Sequence, residues 1–230
     1  MTEKIQETEI KKTRLRLSER LKLVASFVPE GSRIADIGTD HGYVPIYLAE
    51  IGKIKSALAM DVRKGPLARA DEHIEEYRHD VGDAAISIET RLSNGLEKLQ
   101  AKEADTVIIA GMGGELMLRI LRDGAHMYDS VKHYVLSPQS ELSAFRHGLE
   151  KLGISILEEQ MLMDEGKYYV ILHAAPGFMH YEQEYEYRYG SDLIQKQDPV
   201  LREFLERELA QGEELLAHLS LTQTEGAQKR

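Results

Sequence analysis

The chain of 230 residues contains no cysteine, which excludes disulfides, thiolate zinc sites and cysteine nucleophiles. No apolar run approaches the roughly 20 residues of a membrane-spanning helix, and the polar first residues do not resemble a signal peptide, so we expect a cytoplasmic protein. A net charge of −10 argues against nucleic-acid binding when taken alone. Basic residues nevertheless concentrate between Lys4 and Lys22, which leaves room for a local basic face.

Short apolar strands alternate with amphipathic helices through most of the chain. A helix is predicted from Leu17 to Val28, because Ser18 is a favourable N-cap and Pro29 ends the pattern. Strands are predicted at residues 33–37, 56–61, 85–88, 106–110 and 134–137, with helices between them. The fourth strand is nearly all apolar, as expected for a parallel strand that is buried on both faces.

The pattern changes after residue 153. Residues 154–160 and 168–173 predict two strands joined by a turn at Asp164–Gly166, which together form an antiparallel hairpin. Five strand–helix units closed by such a hairpin describe an α/β protein with an open Rossmann-like sheet and one reversed edge strand. This topology resembles that of class I methyltransferases, and it differs from the all-parallel sheet usual in nicotinamide-dependent dehydrogenases.

Helical patterns resume after the hairpin. Apolar residues recur at helical spacing over residues 199–221, which predicts a long amphipathic helix, and a shorter helix is predicted over about 181–197. We therefore predict a catalytic domain at 1–176 and a small helical, coiled-coil-like domain at 177–230. These helices either cap the sheet or form a helical hairpin that contacts a partner.

A glycine-rich loop follows the first strand. The sequence DIGTDHG at 36–42 lies between that strand and a helix. Glycines at such a turn let the backbone approach a ligand, and the helix N-terminus offers free N–H groups to a carboxylate or phosphate. Asp40 stands where the corresponding methyltransferase motif has its middle glycine, and its charge would repel a pyrophosphate. The same charge suits the cationic sulfonium and ammonium groups of S-adenosylmethionine.

Two further signals lie at strand ends. Asp61 ends the second strand about 20 residues past the glycines, where an acid accepts hydrogen bonds from ribose hydroxyls. The sequence GMGG at 111–114 follows the fourth strand, and chemistry in open α/β sheets occurs at the carboxyl ends of the strands. These four residues either leave an open floor for a flat base or serve packing alone.

Three segments together resemble a known family, namely DIGTDHGYVP at 36–45, AGMGGELM at 110–117 and DEGKYY at 164–169. They are similar to the bacterial tRNA adenine-N1-methyltransferases that modify adenine 22. The order of a SERL helix, a catalytic sheet and a helical C-terminal part is similar too, so the resemblance covers nearly the whole chain. It implies a class I fold, S-adenosylmethionine as the methyl donor and transfer RNA as the acceptor.

The resemblance and the motifs together imply roles for individual residues. Asp40 is the candidate carboxylate for stabilising positive charge on the adenine, and Gln139 is the candidate for reading its Watson–Crick edge. Arg20 is expected to pair with the methionine carboxylate or with a phosphate. The cofactor-binding residues are expected to be Arg20, Asp36, Gly38, Thr39, His41, Asp61, Val62, Ser93, Asn94, Gly111, Met112, Gly113 and Gly114. No metal site is expected, because the histidines show no metal-ligand spacing.

Two segments depart from the pattern of this family. The loop after the third strand is Ser93-Asn94-Gly95-Leu96 where Gly-Asp-Gly-Leu is usual, and residues 137–139 are Ser-Pro-Gln where Gln-Pro-Asn is frequent. Asn94 still offers hydrogen bonds to the adenine of the cofactor, so we expect altered contacts and not their loss.

Other functions stay open at this point. A methyltransferase acting on another RNA or on a small molecule would show the same cofactor motifs. A non-catalytic cofactor-binding or RNA-binding module is a second alternative. The change at 93–94 leaves room for it, whereas the intact Asp36, Gly38, Asp61 and Gly111–Gly114 argue against it. A nicotinamide-dependent oxidoreductase is a third, and both Asp40 and the terminal hairpin count against it. We expect transfer RNA as the partner, no membrane contact, and a monomer or weak dimer.

Overall fold

The computed structural model describes residues 15–228, with side chains described for residues 15–219. The basic residues that precede Leu15 therefore lie outside the described residues. In this part of the chain the helices are α1 (Glu19–Ser26), α2 (Tyr43–Glu50), α3 (Lys64–Val81), α4 (Gly114–Asp123), α5 (Leu142–Lys151), α6 (Glu184–Tyr189), α7 (Ser191–Gln195) and α8 (Pro199–Gln228). The strands are β1 (Ser32–Ile37), β2 (Ile54–Asp61), β3 (Ser87–Leu92), β4 (Thr106–Met112), β5 (His133–Pro138), β6 (Ile154–Asp164) and β7 (Lys167–Pro176).

Within the described residues the strands form a mixed sheet in the order β3-β2-β1-β4-β5-β7-β6. Strands β1 to β5 are parallel, whereas β7 runs antiparallel to both β5 and β6. Glu165 and Gly166 join β6 to β7 with φ of 50° and 79°, and positive φ at both central residues is what a type I′ hairpin turn requires. The predicted Rossmann-like sheet with an antiparallel terminal hairpin is confirmed. The reversed strand is not at the edge as expected, because β6 lies outside β7 and runs in the same direction as β5.

Helices cover both faces of the sheet. Ile108 of β4 packs on the face that carries α1, α2 and α3, whereas its neighbours Val107 and Ile109 pack on the face that carries α4 and α5. Burying one such aliphatic side chain contributes about 1.5–3 kcal/mol to the stability of the fold. Because both faces of β4 are covered, successive residues are apolar and the strand is an uninterrupted apolar run. The two cores thereby fix β1 and β4 side by side at the centre of the sheet.

The third strand begins later than predicted. β3 starts at Ser87 and pairs in parallel with β2, whereas residues 82–84 form a short 3₁₀ turn. The backbone N–H of Ala85 donates to the Gly82 carbonyl oxygen and that of Ile86 to the Tyr77 hydroxyl, so these two residues do not pair with β2.

The predicted single helix over about 181–197 is wrong. α6 and α7 occupy this segment, and Gly190, with φ of 97°, interrupts the helix between them. α6 packs mainly against α5, and α7 packs against β6. The helical pattern in the sequence was real, but it did not show that the chain bends at the glycine.

The C-terminal segment begins inside the core of the sheet domain. Met179, Leu193 and Leu201 belong to the same buried cluster as the sheet residues. Along α8, the side chains from residue 206 to residue 219 are exposed. The division of the chain at residue 176 stays a prediction.

A buried ion pair fixes α6 to the sheet. Arg146 of α5 and Glu159 of β6 are both 0% exposed, and Nη2 lies 2.8 Å from Oε1. Arg146 Nη1 also donates to the carbonyl oxygens of Tyr187 and Arg188, at 2.8 and 3.1 Å. Burial raises the pKa of Glu159, although the Arg146 guanidinium opposes the rise. A Cβ at Gly190 would collide with the Glu159 carboxylate, so position 190, which lies against this ion pair, requires glycine.

Candidate active site

A cleft of about 780 Å³ opens at the carboxyl ends of β1 and β4, where the strand order of the sheet reverses. Open α/β sheets bind ligands at this switch point, because the loops on its two sides diverge. The cleft is lined by every predicted site residue except Gly113 and Gly114, that is by Arg20, Asp36, Gly38, Thr39, Asp40, His41, Asp61, Val62, Ser93, Asn94, Gly111, Met112 and Gln139. The structure thus brings together residues that are more than 100 positions apart in the chain.

Asp36 lies near the end of β1 and is only 6% exposed. Burial raises its pKa to about 6; the Thr39 hydroxyl opposes this rise, and the negative charge of Asp61 adds to it. A carboxylate that is buried without a cation is costly. Asp36 is therefore suited to bind a positively charged group of a ligand.

The loop after β1 is fixed to the neighbouring strand. The backbone N–H groups of Gly38 and Thr39 donate to the carbonyl oxygen of Met60, at 2.7 and 3.1 Å. Gly38 has φ of 77°, and a Cβ at this position would collide with the side chain of Met112. Asp40 has φ of 50°, a left-handed conformation that aspartate and asparagine adopt more readily than most residues. The backbone of the loop explains why an aspartate is tolerated between its glycines.

Arg20 of α1 brings a cation to the cleft. Its Nη1 atom is buried and has no hydrogen-bond partner among residues 15–219. The guanidinium lies over the ring of Tyr169, with Cζ 5.2 Å from the ring centroid. Leaving a guanidinium donor buried and unsatisfied costs free energy, so this atom is suited to bind an anionic ligand group such as a carboxylate.

Asp61 ends β2 and is 5% exposed. Its Oδ1 atom accepts a hydrogen bond from the backbone N–H of Arg63 at 2.8 Å, which orients the carboxylate. Val62, between them, presents an apolar side chain that is 61% exposed. An acid beside an exposed apolar side chain suits a ribose and its attached base.

Asp40 and His41 form the outer part of the loop. The Asp40 side chain is 53% exposed, and Oδ1 lies 3.3 Å from Nη2 of Arg69 on α3. His41 stacks on Tyr43 with ring centroids 5.0 Å apart, and its Nε2 lies 3.5 Å from Asp40 Oδ2. Asp40 is consequently a solvated, partly neutralised charge at the edge of the cleft.

Gly111 provides an open floor, which is one of the two roles that the sequence left open for GMGG. It has φ of 84°, and a Cβ there would lie 3.8 Å from Gln139 Nε2 and 3.9 Å from Arg20 Nη1. Arg20 and Gln139 therefore approach the same point from two elements. The backbone N–H of Gln139 donates to the carbonyl oxygen of Met112 at 2.9 Å, which ties the residue after β5 to the end of β4.

Gly113 and Gly114 lie away from the lining of the cleft. A Cβ at Gly113 would lie 3.0 Å from Ser140 Oγ. A Cβ at Gly114 would lie 2.7 Å from the Ser140 carbonyl oxygen and 3.2 Å from Phe145 Cβ. These two glycines allow the start of α4 to pack against α5, and their predicted contact with the cofactor is not supported by the cleft.

Replacing Gly114 with alanine is expected to destabilise the protein by about 1–3 kcal/mol, because the methyl group meets backbone that cannot easily move. Gly212→Ala on α8 is the matched control, since a Cβ there meets nothing and should stabilise the helix by about 0.5–1 kcal/mol. Urea titration measures both changes. An unchanged free energy of unfolding for Gly114→Ala would contradict the packing role.

Several cleft residues were not predicted from the sequence. Leu116, Arg119 and Ile120 lie on one face of α4 and line the cleft, as does Arg63 after β2. The spacing i, i+3 and i+4 of Leu116, Arg119 and Ile120 places them on one face of the helix that follows the glycine-rich strand end, and this spacing could have indicated them. The apolar pattern of α4 alone does not separate the side chains that face the cleft from those that face the core.

Among residues 15–219, no group of three His, Asp or Glu side chains is arranged to hold a metal ion. In the same part of the chain, no helix is both long and apolar enough to cross a membrane.

Comparison with known proteins agrees with this geometry. Residues 17–172 match the family described as a methyltransferase domain. The chain is 34% identical over 163 residues to the tRNA (adenine(22)-N(1))-methyltransferase of Bacillus subtilis, and the alignment covers 71% of this chain and 66% of that protein. Streptococcus pneumoniae Sp1610, solved in complex with S-adenosyl-L-methionine, is 36% identical with a TM-score of 0.79, over 86% of this chain and 90% of that one.

A third relative is the Mycoplasma capricolum enzyme TrmK, solved with S-adenosylhomocysteine, at 29% identity and a TM-score of 0.71, over 87% of each chain. The fold and the cleft thus define a class I methyltransferase domain that uses S-adenosylmethionine. Within that class, the chain belongs to the family of tRNA (adenine(22)-N1)-methyltransferases.

Proposed function

We propose that this chain transfers a methyl group from S-adenosylmethionine to N1 of adenine 22 in transfer RNA. The observation that carries the proposal is the presence, in one cleft, of the buried Asp36 carboxylate and of the Arg20 guanidinium, whose Nη1 has no partner among residues 15–219. An amino-acid group carries one ammonium and one carboxylate, and these two side chains complement it. The acceptor is supported by the named activity of the Bacillus subtilis relative.

The residues of the cleft fit the cofactor. Arg20 would bind the carboxylate, Asp36 the ammonium group and Asp61 the ribose hydroxyls, while Val62 and Asn94 would contact the adenine. When bound, S-adenosylmethionine supplies an electrophilic methyl group on a positively charged sulfur. The chain itself contributes fixed charges and a partly closed cleft, and holding two reactants in alignment lowers the barrier by many kcal/mol.

The acceptor side of the cleft is proposed to lie at Gln139 and Asp40. The Gln139 amide offers a donor and an acceptor to the Watson–Crick edge of adenine. Methylation at N1 leaves a cationic base, which the Asp40 carboxylate would stabilise. The base must leave its stack to reach this point, and Arg63 and Arg119 at the cleft are suited to contact the RNA phosphates.

Asp40→Asn is expected to lower kcat/KM for tRNA methylation about tenfold, because the carboxylate charge is lost while the left-handed backbone is kept. The effect is moderate because Asp40 is half exposed and faces Arg69. Affinity for cationic S-adenosylmethionine should fall more than affinity for neutral S-adenosylhomocysteine. Glu182→Gln, which removes an exposed acid outside the cleft lining, should change neither quantity. Equal effects on the two cofactor forms would argue against a charge near the sulfur.

The proposed function is tested by methyl transfer from labelled S-adenosylmethionine to unmodified transfer RNA, followed by nucleoside analysis. Label in 1-methyladenosine, lost when adenine 22 of the transcript is replaced by guanine, is the expected result. Cofactor binding with no label in any RNA would overturn the acceptor and favour a small-molecule methyltransferase or a binding module.

Three further features belong to this proposal. The enzyme is proposed to act in the cytoplasm, because that is where bacterial transfer RNA is modified. It is proposed to act as a monomer or weak dimer. The segment 177–230 is proposed as a helical domain that contacts the RNA or caps the sheet.

A further inference from the structure

The DEGKYY segment at 164–169 lies outside the cleft. It forms the end of the β6–β7 hairpin, with Asp164 opposite Lys167 and Tyr169 opposite Leu162 in the antiparallel register. None of these residues lines the cleft. Any effect of these residues on a bound ligand must therefore pass through a neighbour.

That neighbour is Arg20. The backbone N–H of Arg20 donates to Asp164 Oδ2 at 3.3 Å, and the guanidinium lies over the Tyr169 ring at 5.2 Å. Arg20 is the second residue of α1, so its N–H has no partner inside the helix, and the Asp164 carboxylate supplies one. Both ends of the arginine, its backbone and its head group, are held by the same hairpin.

This arrangement matters because a free arginine side chain samples many rotamers, and ordering it on ligand binding costs affinity. Stacking on an aromatic face pre-orders the guanidinium without using its N–H donors. Nη1 in particular stays unpartnered among residues 15–219 and lies 3.9 Å from the position of a Cβ on Gly111, the floor of the cleft.

We propose that Tyr169 and Asp164 are positioning residues that hold Arg20 for the carboxylate of the cofactor. The inference rests on the proposed function, since it assumes that the cleft binds S-adenosylmethionine. It gives the DEGKYY segment a role at one contact of the cofactor, the contact between Arg20 and the carboxylate. It also places the two adjacent tyrosines in different roles.

Tyr168 provides the matched comparison. Its hydroxyl donates to Glu203 at 2.9 Å, and its ring packs edge-on against Phe204 of α8 with centroids 5.2 Å apart. Tyr168 therefore supports α8, and Tyr169 supports Arg20. The same substitution at the two positions separates a structural role from a positioning role.

The experiment measures the binding of S-adenosylmethionine and of 5′-methylthioadenosine, which keeps the adenosine and the sulfur but lacks the amino-acid group. Tyr169→Leu is expected to weaken S-adenosylmethionine binding about 3- to 30-fold, the range of a cation–π contact, and to leave methylthioadenosine binding unchanged. Tyr169→Phe keeps the ring and should bind both ligands as the parent chain does. Tyr168→Leu should bind both ligands normally, even where it lowers the melting temperature.

A double substitution tests whether the effect passes through Arg20. In an Arg20→Gln background, Tyr169→Leu should cause no further loss of S-adenosylmethionine affinity. Equal weakening of both ligands by Tyr169→Leu, or an undiminished loss in the Arg20→Gln background, would overturn the inference alone. Failure of the parent chain to bind S-adenosylmethionine would overturn the proposed function and the inference with it.

Discussion

Asp36→Asn is expected to stabilise the free protein and to abolish tight cofactor binding. The carboxylate has a pKa raised from 3.8 to about 6 by burial, and this rise corresponds to about 3 kcal/mol of lost stability once the group is ionised. Below pH 4 both the folded and the unfolded chain carry the proton, so the cost is absent. It grows between pH 4 and pH 6 and is fully present above that range. The gain from asparagine should follow the same pH dependence.

The charge that destabilises the free protein is the charge that the cofactor needs, so its removal weakens binding. In the proposed complex the Asp36 carboxylate faces an ammonium group in a buried site, and removing one partner of such a pair costs about 2–5 kcal/mol. S-adenosylmethionine affinity should therefore fall about 30-fold or more at pH 8. In the parent chain, affinity should also decline as the pH drops below 6, because the carboxyl must lose its proton to bind the cation.

Urea titrations at pH 5 and pH 8, together with calorimetry of S-adenosylmethionine, check both halves of this prediction. Asp129→Asn removes an exposed carboxylate outside the cleft lining and should change neither stability nor binding. A loss of stability for Asp36→Asn at pH 8 would show that the buried charge is compensated within the free protein.

Arg146→Met is expected to destabilise the protein by about 3–5 kcal/mol. The substitution leaves the carboxylate of Glu159 fully buried without its guanidinium partner, and it leaves the carbonyl oxygens of Tyr187 and Arg188 without their donor. Urea titration gives the free energy of unfolding. Arg202→Met is the matched control, because Arg202 pairs with Glu206 on the exposed surface of α8 and its loss should cost less than about 0.5 kcal/mol.

A second substitution shows whether the buried charge is the cause. Glu159→Gln is expected to destabilise the parent chain, because it removes half of an ion pair. In the Arg146→Met background the same change should stabilise, because it neutralises a carboxylate that has lost its partner. If Glu159→Gln were destabilising in both backgrounds, the cost of Arg146→Met would come from packing and not from charge.

The parts of the fold that were predicted correctly are those with a strong local signal. β4 is an apolar run because both of its faces are covered, and the loop 36–42 carries glycine at two of its three positive-φ positions, with Asp40 at the third. β3 was misplaced because an edge strand with exposed Glu89 carries no such run. Local patterns thus identify elements whose environment is uniform along their length.

The remaining features depend on contacts between distant residues. Nothing near Arg146 indicates that Glu159 would join it in the core, and nothing near Tyr169 indicates that it would support a residue of α1. Gly113 and Gly114 shared a motif with Gly111, yet only Gly111 reached the cleft, because α5 packs against the start of α4. Residue type and spacing define a motif, but the packing of the helices decides which of its members lines the cleft.

The order of strands at one end of the sheet determines when the site is completed during synthesis. β5 pairs with β7 and not with β6. β6 therefore joins the sheet only by pairing with β7, which the ribosome makes after β6. The edge of β5 stays open until residues up to Pro176 have emerged, and an open edge of this kind is a template for wrong pairing. Arg20 is made well before Asp164 and Tyr169, which arrive with this hairpin. A nascent chain therefore acquires its glycine loop early and its fully ordered cofactor site only when the sheet is closed.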